Sequence, residues 1–253
     1  MLVKKEGGWK LNDLPFVKKE NDFINTYFLE GHEQSANAID NHVNKIVSLY
    51  KDKFDWQPES LNIKLFNSNK ELAATIPFGS DKIASWNEYR EALKVVDGYE
   101  EAFTHYFLQH EITHQFLSHL TNDNCLVWFQ EGFANYFSEA INKNAQGQYE
   151  LDIRISHEAS QEMIDRINDE KYPTITTIIN AKNKDAYGYL LIDYLIQMHS
   201  LDKFVDMILK NYPYIDKRME HKSEDLNTLL LETLEKHYVS LETLSKEYSN
   251  YHK

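Results

Sequence analysis

The spacing of apolar residues in the first third of the chain predicts strands around one long helix. Residues 23–29 favour a strand, and residues 33–54 carry apolar side chains three or four positions apart, as an amphipathic helix does. Apolar and polar residues alternate over 61–66, which favours a second strand. A short capped helix is predicted at 67–75, before Pro77.

The pattern of residues 83–96 is ambiguous but compatible with a β-hairpin, and helical spacing dominates after this segment. A strand of this hairpin, placed beside a metal-bearing helix, would offer an edge that binds an extended peptide. Residues 100–120 predict one helix, and 127–141 predict a second that runs back beside the first after the polar turn 121–124. Further helices are predicted at 156–168, 186–199, 202–211 and 225–248.

These elements predict an α+β fold with a small N-terminal mixed sheet and one long helix, followed by a helix pair and a C-terminal helical lobe that closes a cleft. With 253 residues and 42% hydrophobic content, the chain can bury a substantial core. We expect one two-lobed domain over 1–253, with an N-terminal α/β lobe at 1–98 and the remaining helices at 99–253.

The charge balance narrows the classes of partner. Forty acidic and 27 basic residues give a formal net charge of −13, which argues against nucleic acids and anionic membranes. The apolar stretch 187–198 is interrupted by Asp193 and is too short for membrane insertion. Residues 1–10 lack the apolar core of an export signal, so we expect a cytoplasmic protein, with an exported protein that has lost its signal as the alternative. The sequence leaves the oligomeric state open.

A His-Glu-x-x-His motif at 110–114 carries metal chemistry on the predicted helix 100–120. His110 and His114 are four positions apart, so both imidazoles lie on one helical face and can bind one ion. Glu111 is rotated off that line, beside the water that such an ion activates, where a general base is needed. The two histidines share the apolar stripe of this helix, so we expect them to point inward among Phe103, Phe107 and Leu117.

A third ligand is expected from another element, because catalytic zinc sites combine three protein ligands with one open position. Glu131 fits that role, since a spacer of sixteen residues after His114 allows a turn and the start of a second helix. Asn135, four positions later, can face the same site and hydrogen-bond a ligand histidine. Gly132 removes a side chain where two helices approach closely. Cys125 is the single cysteine, which excludes thiolate clusters and favours a buried structural thiol.

The two motifs together resemble those of the gluzincin zinc metallopeptidases, the thermolysin and aminopeptidase-N group, which pair His-Glu-x-x-His with a Glu from a following helix. The segment Glu-Gly-Phe-Ala-Asn-Tyr at 131–136 is most similar to the peptidase-MA-like branch. The resemblance covers roughly the middle third of the chain. It implies a zincin-type active-site helix pair, Zn²⁺ on His110, His114 and Glu131, and Glu111 as general base and acid.

The chain also departs from that pattern. The spacer before the third ligand is shorter than in the best-known members, and Asn135 stands where thermolysin-like proteins place an Asp. The segment 84–88 replaces the Gly-x-Met-Glu-Asn signature of the aminopeptidases, so an aminopeptidase is not supported. Glu88 is therefore expected to be a solvated strand residue rather than an anchor for a substrate amine.

The resemblance further implies a tyrosine that donates a hydrogen bond to the oxyanion of the reaction. Tyr187, just before Gly188, is the candidate, and Tyr189 is the alternative. In the aminopeptidases the corresponding tyrosine lies three residues before the glycine, where this chain has Asp185. Both tyrosines could instead be ordinary core residues.

The function predicted from these residues is zinc-dependent hydrolysis of peptide bonds in a peptide or protein substrate. A non-catalytic scaffold, with or without zinc, is one alternative, and Glu111 argues against it because a structural zinc needs no base. A metal-dependent hydrolase of a non-peptide amide is the second alternative, since water attack is common to both reactions.

Overall fold

The computed structural model describes residues 2–5, 8–11, 14–76, 82–167, 172–220 and 224–251. Their fold is α+β, with strands near the N-terminus and helices after them, as predicted. The chain divides into an N-terminal unit, Met1–Lys45 with Pro58–Leu108, and a C-terminal unit, Ile46–Gln57 with Gln109–Lys253. The single two-lobed domain stays a prediction.

Five strands form the main sheet of the N-terminal unit in the order β3-β4-β5-β7-β6. β4, β5 and β7 are mutually parallel, whereas β3 and β6 run antiparallel to their neighbours, so the sheet is mixed. β1 and β2 form a separate antiparallel pair. The strands are β1 (Leu2–Lys5), β2 (Gly8–Leu11), β3 (Val17–Asn21), β4 (Ile24–Phe28), β5 (Leu61–Phe66), β6 (Ser85–Glu88) and β7 (Ala92–Val96).

The hairpin predicted at 83–96 is confirmed by β6 and β7, but the sequence analysis did not predict β3. β3 is an edge strand of the sequence Val-Lys-Lys-Glu-Asn with mostly exposed positions, so it lacks the alternation on which strand prediction depends. Charged side chains are usual on such edges because they discourage further strand pairing.

The long helix α1 (Glu33–Phe54) has the predicted bounds. Its apolar positions Ala36, Ile39, Val43 and Tyr50 are almost completely buried, as the spacing of three and four requires. The short helix α2 (Asn69–Ala73) begins after Ser68, whose hydroxyl accepts from the backbone N–H of Glu71 at 3.2 Å.

Helices dominate the C-terminal unit. The predicted helices at 100–120 and 127–141 are confirmed as α3 (Glu101–Thr121) and α4 (Val127–Ala140). A small hairpin, β8 (Ile141–Lys143) and β9 (Tyr149–Leu151), was not predicted. The later helices are α5 (Ile153–Ile167), a 3₁₀ helix (Ile175–Asn180), α6 (Lys184–His199), α7 (Leu201–Asp206) with a π-helical end (Met207–Asn211), α8 (Glu224–His237) and α9 (Leu241–Tyr251).

One predicted helix is wrong, because 225–248 contains two helices, α8 and α9, rather than one. Ser240 precedes α9, and its hydroxyl accepts from the backbone N–H of Thr243 at 3.4 Å, which favours a new helix start at this point. The predicted helix at 156–168 overlaps α5, but residue 168 lies outside the described residues.

The turn between α3 and α4 is buried rather than solvated. Asn122 and Asp123 have positive φ values of 53° and 59°, a conformation that Asn and Asp tolerate better than most residues. The amide of Asn122 donates to the carbonyl of Ile215 at 2.8 Å, and that of Asn124 donates to the same carbonyl at 3.0 Å. These bonds fix the position from which α4 starts.

Candidate metal centre

The two histidines of the 110–114 motif lie on one face of α3, with their Nε2 atoms 3.0 Å apart. Their side chains are 15% and 9% exposed for His110 and His114, so both are largely inside the C-terminal unit. The apolar stripe predicted around them begins later than expected, because Phe103 is 55% exposed. It lies within the first turn of α3, where a helix end leaves side chains open to water.

Glu131 lies close to the two histidines because the connection between α3 and α4 is only five residues long. Its carboxylate oxygens lie 3.4 Å from Nε2 of His110 and 3.5 Å from Nε2 of His114. Burial would raise the pKa of Glu131, but hydrogen bonds from the two histidines and their charges hold it well below its usual range. The carboxylate is therefore ionised, as a metal ligand must be.

The three side chains fit a four-coordinate metal ion. One ligand atom from each of His110, His114 and Glu131 lies within 4.8 Å of the others. Zinc–ligand bonds of ~2.0–2.1 Å place tetrahedral ligand atoms ~3.3 Å apart. The two Nε2 atoms are 3.0 Å apart, and each lies near a different oxygen of Glu131, at 3.4 Å for His110 and 3.5 Å for His114, so the cluster has about the size that a zinc ion requires. Two imidazole nitrogens with one carboxylate are also the donor types of a catalytic zinc site.

One ring nitrogen of His110 lacks, within the described part of the chain, the hydrogen-bond acceptor that a metal-binding histidine usually has. Its Nδ1 is buried and has no hydrogen-bond partner among the residues that the structure describes. Metal-binding histidines usually donate this N–H to an acceptor, and Asn135 does not supply one to His110 here. A role for Asn135 towards His114 stays a prediction.

Glu111 is buried in the turn between the two histidines, with 4% of its surface exposed. A carboxylate on a solvated helix face would be open to water, so this burial places Glu111 in the interior of the C-terminal unit with its neighbours on α3. Its role as a base stays a prediction.

Helix α6 lies in direct backbone contact with α4, the helix of Glu131. A Cβ atom added to Gly132 would lie 2.4 Å from the carbonyl carbon of Gly188, and one added to Gly188 would lie 2.3 Å from the carbonyl oxygen of Trp128. The close approach predicted for Gly132 is thus present, and α6 is its partner. The first turn of α6 is thereby held beside Glu131.

The tyrosines considered as oxyanion donors are both on α6. Tyr187 is 1% exposed, and its ring packs edge-on against Tyr172 at 5.7 Å. The hydroxyl of Tyr189 donates to the carboxylate of Glu139 at 2.5 Å and to the carbonyl of Ser156 at 2.8 Å. The hydroxyl of Tyr189 is therefore already hydrogen-bonded within the protein, whereas the role of Tyr187 stays a prediction.

Glu88 is not a freely solvated strand residue. Its carboxylate accepts a hydrogen bond of 2.6 Å from Nζ of Lys94, which is only 2% exposed. A buried ammonium needs such a partner, because an unpaired charge in the interior is costly. The burial of Lys94 was not predicted from the sequence, although its position inside the strand β7 was the available signal.

Asp193 is a second buried polar residue whose role was not predicted from the sequence, where it was interpreted only as an interruption of an apolar stretch. It is fully buried on α6 and accepts from Nδ1 of His157 at 3.1 Å and from the hydroxyl of Ser160 at 3.0 Å. The hydroxyl of Tyr136 on α4 also donates to it at 3.4 Å. This network joins α4, α5 and α6. The sequence feature that could have predicted it is a single acidic residue inside an apolar helical stretch.

The sequence of this chain matches the profile of a known protein family. The sequence profile of the family Peptidase_M9, described as collagenase, matches residues 83–240, which is more than half of the chain. The matched region contains the 110–114 motif, Glu131 and Tyr187. A search of curated proteins gave no match. Within the described residues, every helix is too short or too polar to cross a membrane.

Proposed function

This chain belongs to the Peptidase_M9 collagenase family of metallopeptidases, and we propose that it hydrolyses peptide bonds with Zn²⁺ held by His110, His114 and Glu131. The observation that carries the proposal is the convergence of these three ligand atoms within 4.8 Å. When bound, zinc lowers the pKa of the attacking water to ~7 and polarises the carbonyl under attack. The substrate is a peptide or protein, as membership of a peptidase family implies.

Glu111 takes the proton of the attacking water and later gives it to the leaving amine. Its position next to His110 supports this assignment, because the Glu of a His-Glu-x-x-His helix that binds zinc would serve as the general base. If the protein were a non-catalytic scaffold, no general base would be required at the position of Glu111. The pairing of His-Glu-x-x-His with Glu131 on the next helix also supports placing the chain among the gluzincins.

Tyr187 is the proposed hydrogen-bond donor to the oxyanion. Support comes from the contact of α6 with α4, which brings the helix of Tyr187 against the helix of Glu131. Tyr187 is only 1% exposed, so this role requires neighbouring side chains to move when substrate binds. Tyr189 is not proposed, since Glu139 and Ser156 already accept from its hydroxyl.

The test combines metal analysis of purified protein with cleavage of an unbiased peptide library and of gelatin, which is included because of the family's description. We expect about one zinc per chain and cleavage that is lost in Glu111→Gln at unchanged zinc content, because a carboxamide cannot accept the water proton.

Two results would contradict the proposal. Zinc-loaded Glu111→Gln with activity within a few-fold of wild type would remove the base. A zinc-loaded wild type that cleaves simple amides but no peptide would favour the non-peptide amide hydrolase instead.

A further inference from the structure

The first turn of α6 carries a carboxylate, Asp185, that is exposed to solvent. It makes no hydrogen bond or ion pair with any residue in the described part of the chain. Acidic residues are common in the first turn of a helix, where they offset the positive end of the helix dipole. Helix stabilisation alone therefore accounts for its presence, and its surroundings decide whether it does more.

The backbone contact between α6 and α4 places the first turn of α6, which carries Asp185, near the helix of Glu131, one of the proposed metal ligands. Gly188 touches Gly132 and the carbonyl of Trp128, and Asp185 precedes Gly188 by three residues, or about one helical turn on the same face. Glu131 directly precedes Gly132. The side chain of Glu131 is 35% exposed and Asp185 is exposed, so both carboxylates are accessible to solvent.

The electrostatics of Asp185 agree with that placement. Partial burial and the negative charge of Glu131 raise the pKa of Asp185, and the neighbouring Lys184 opposes them. The two acids come from different helices, so the α4–α6 contact, and not sequence proximity, brings them together.

The charge of Asp185 is not neutralised by a contact within the described part of the protein. Apart from the charge of its neighbour Lys184, no cationic group pairs with Asp185 among the described residues. An exposed carboxylate next to a binding site attracts a positive group of the ligand, and a charge-assisted hydrogen bond then fixes that group.

We propose that Asp185 is a specificity-determining residue, which binds an ammonium or guanidinium group of the peptide substrate beside the metal centre. The proposal rests on the peptidase function proposed above. The positive group is either a Lys or Arg side chain near the cleaved bond or the α-amine of the substrate.

The experiment compares three matched peptides: an N-acetylated peptide with one central Arg, the same peptide with neutral citrulline in its place, and a citrulline peptide with a free α-amine. We expect wild type to prefer one of the two cationic peptides by about tenfold in kcat/KM over the neutral one. The preferred peptide identifies the source of the positive charge. High salt should reduce the preference, because Asp185 is exposed.

Two variants assign the preference to Asp185. Asp185→Asn should reduce the ratio of cationic to neutral kcat/KM to about one, and Asp185→Lys should bring it below one. Asp202→Asn is the matched control, since Asp202 is also an exposed first-turn acid, on α7, and should keep the wild-type ratio. Zinc content is measured in each variant, so that a change at the metal ligands is recognised.

The same peptides are also bound, in fluorescence anisotropy, to zinc-loaded Glu111→Gln with and without Asp185→Asn. This measurement gives a result even if no peptide is cleaved, which separates failure of the proposed function from failure of the proposed specificity. Equal affinity and equal kcat/KM for cationic and neutral peptides would overturn the role of Asp185. A preference that survives in Asp185→Asn would overturn it as well.

Discussion

Gly132 of α4 and Gly188 of α6 pack backbone against backbone, so closely that a Cβ atom on Gly132 would lie 2.4 Å from the carbonyl carbon of Gly188. Real side chains do not tolerate such a distance, and no flexible side chain is present there to move away. This contact places the helix of Tyr187 and Asp185 against the helix of Glu131. The positions of Tyr187 and Asp185 relative to α4 thus depend on two glycines that have no reactive side chain.

We expect Gly132→Ala to destabilise the protein by about 3 kcal/mol or more, because α4 and α6 must separate to admit one methyl group. Denaturant unfolding followed by circular dichroism measures the loss. Gly147→Ala is the control: its φ is +74° and no atom lies within 4 Å of the added Cβ, so only the cost of a left-handed residue, about 1–2 kcal/mol, is expected. Equal losses in the two variants would contradict the steric account.

Removing a proposed ligand should remove the metal. We expect His114→Ala to lose zinc on dialysis, because two remaining ligands do not hold the ion at a site built for three. Elemental analysis of the dialysed protein measures this. His119→Ala is the control on the same helix, since His119 bonds the indole N–H of Trp56 at 2.9 Å and should leave zinc occupancy unchanged. Full occupancy in His114→Ala would refute the ligand assignment.

Tyr187→Phe should lower kcat by roughly 10² with little change in zinc content, because a donor to the oxyanion acts mainly in the transition state. Steady-state kinetics on a cleaved library peptide measures the effect. Tyr189→Phe is the comparison variant, in which the lost hydroxyl bonds Glu139 and Ser156, so the change should appear in stability rather than in kcat. An unchanged kcat in Tyr187→Phe would leave the metal alone to stabilise the oxyanion.

The Cys125 thiol should be unreactive while the protein is folded. Burial raises the pKa of Cys125 from 9.0 to about 12, so the thiol stays neutral and inaccessible at pH 8. A thiol reagent should react only as denaturant unfolds the chain. Because the folded pKa is the higher one, this group's contribution to stability is complete below pH 9 and is lost as the pH rises towards 12.

Cys125→Ala should therefore flatten the loss of unfolding free energy at alkaline pH, most clearly near pH 9 to 10, before the tyrosines ionise. Urea unfolding at a series of pH values measures this. Rapid labelling of the native thiol at pH 8 would show that the residue is not buried in solution.

The periodicity of the chain was sufficient to predict α1, α3 and α4 within one residue at each end, because amphipathic helices repeat their apolar positions locally. The same local geometry put His110 and His114 on one face. Edge strand β3 and the break between α8 and α9 were missed, since charged edge positions and a capping serine leave little trace in an apolar pattern.

Only the tertiary structure shows which side chains on different helices contact one another. The distance from Glu131 to the histidines and the buried network at Asp193 depend on side chains far apart in sequence. Gly188 and Asp185 belong to the same class: their neighbours lie on α4, more than fifty residues earlier. The spacing of residues along the sequence determines on which face of its own helix a side chain lies. Only the packing of the helices determines which residues of another helix that face contacts.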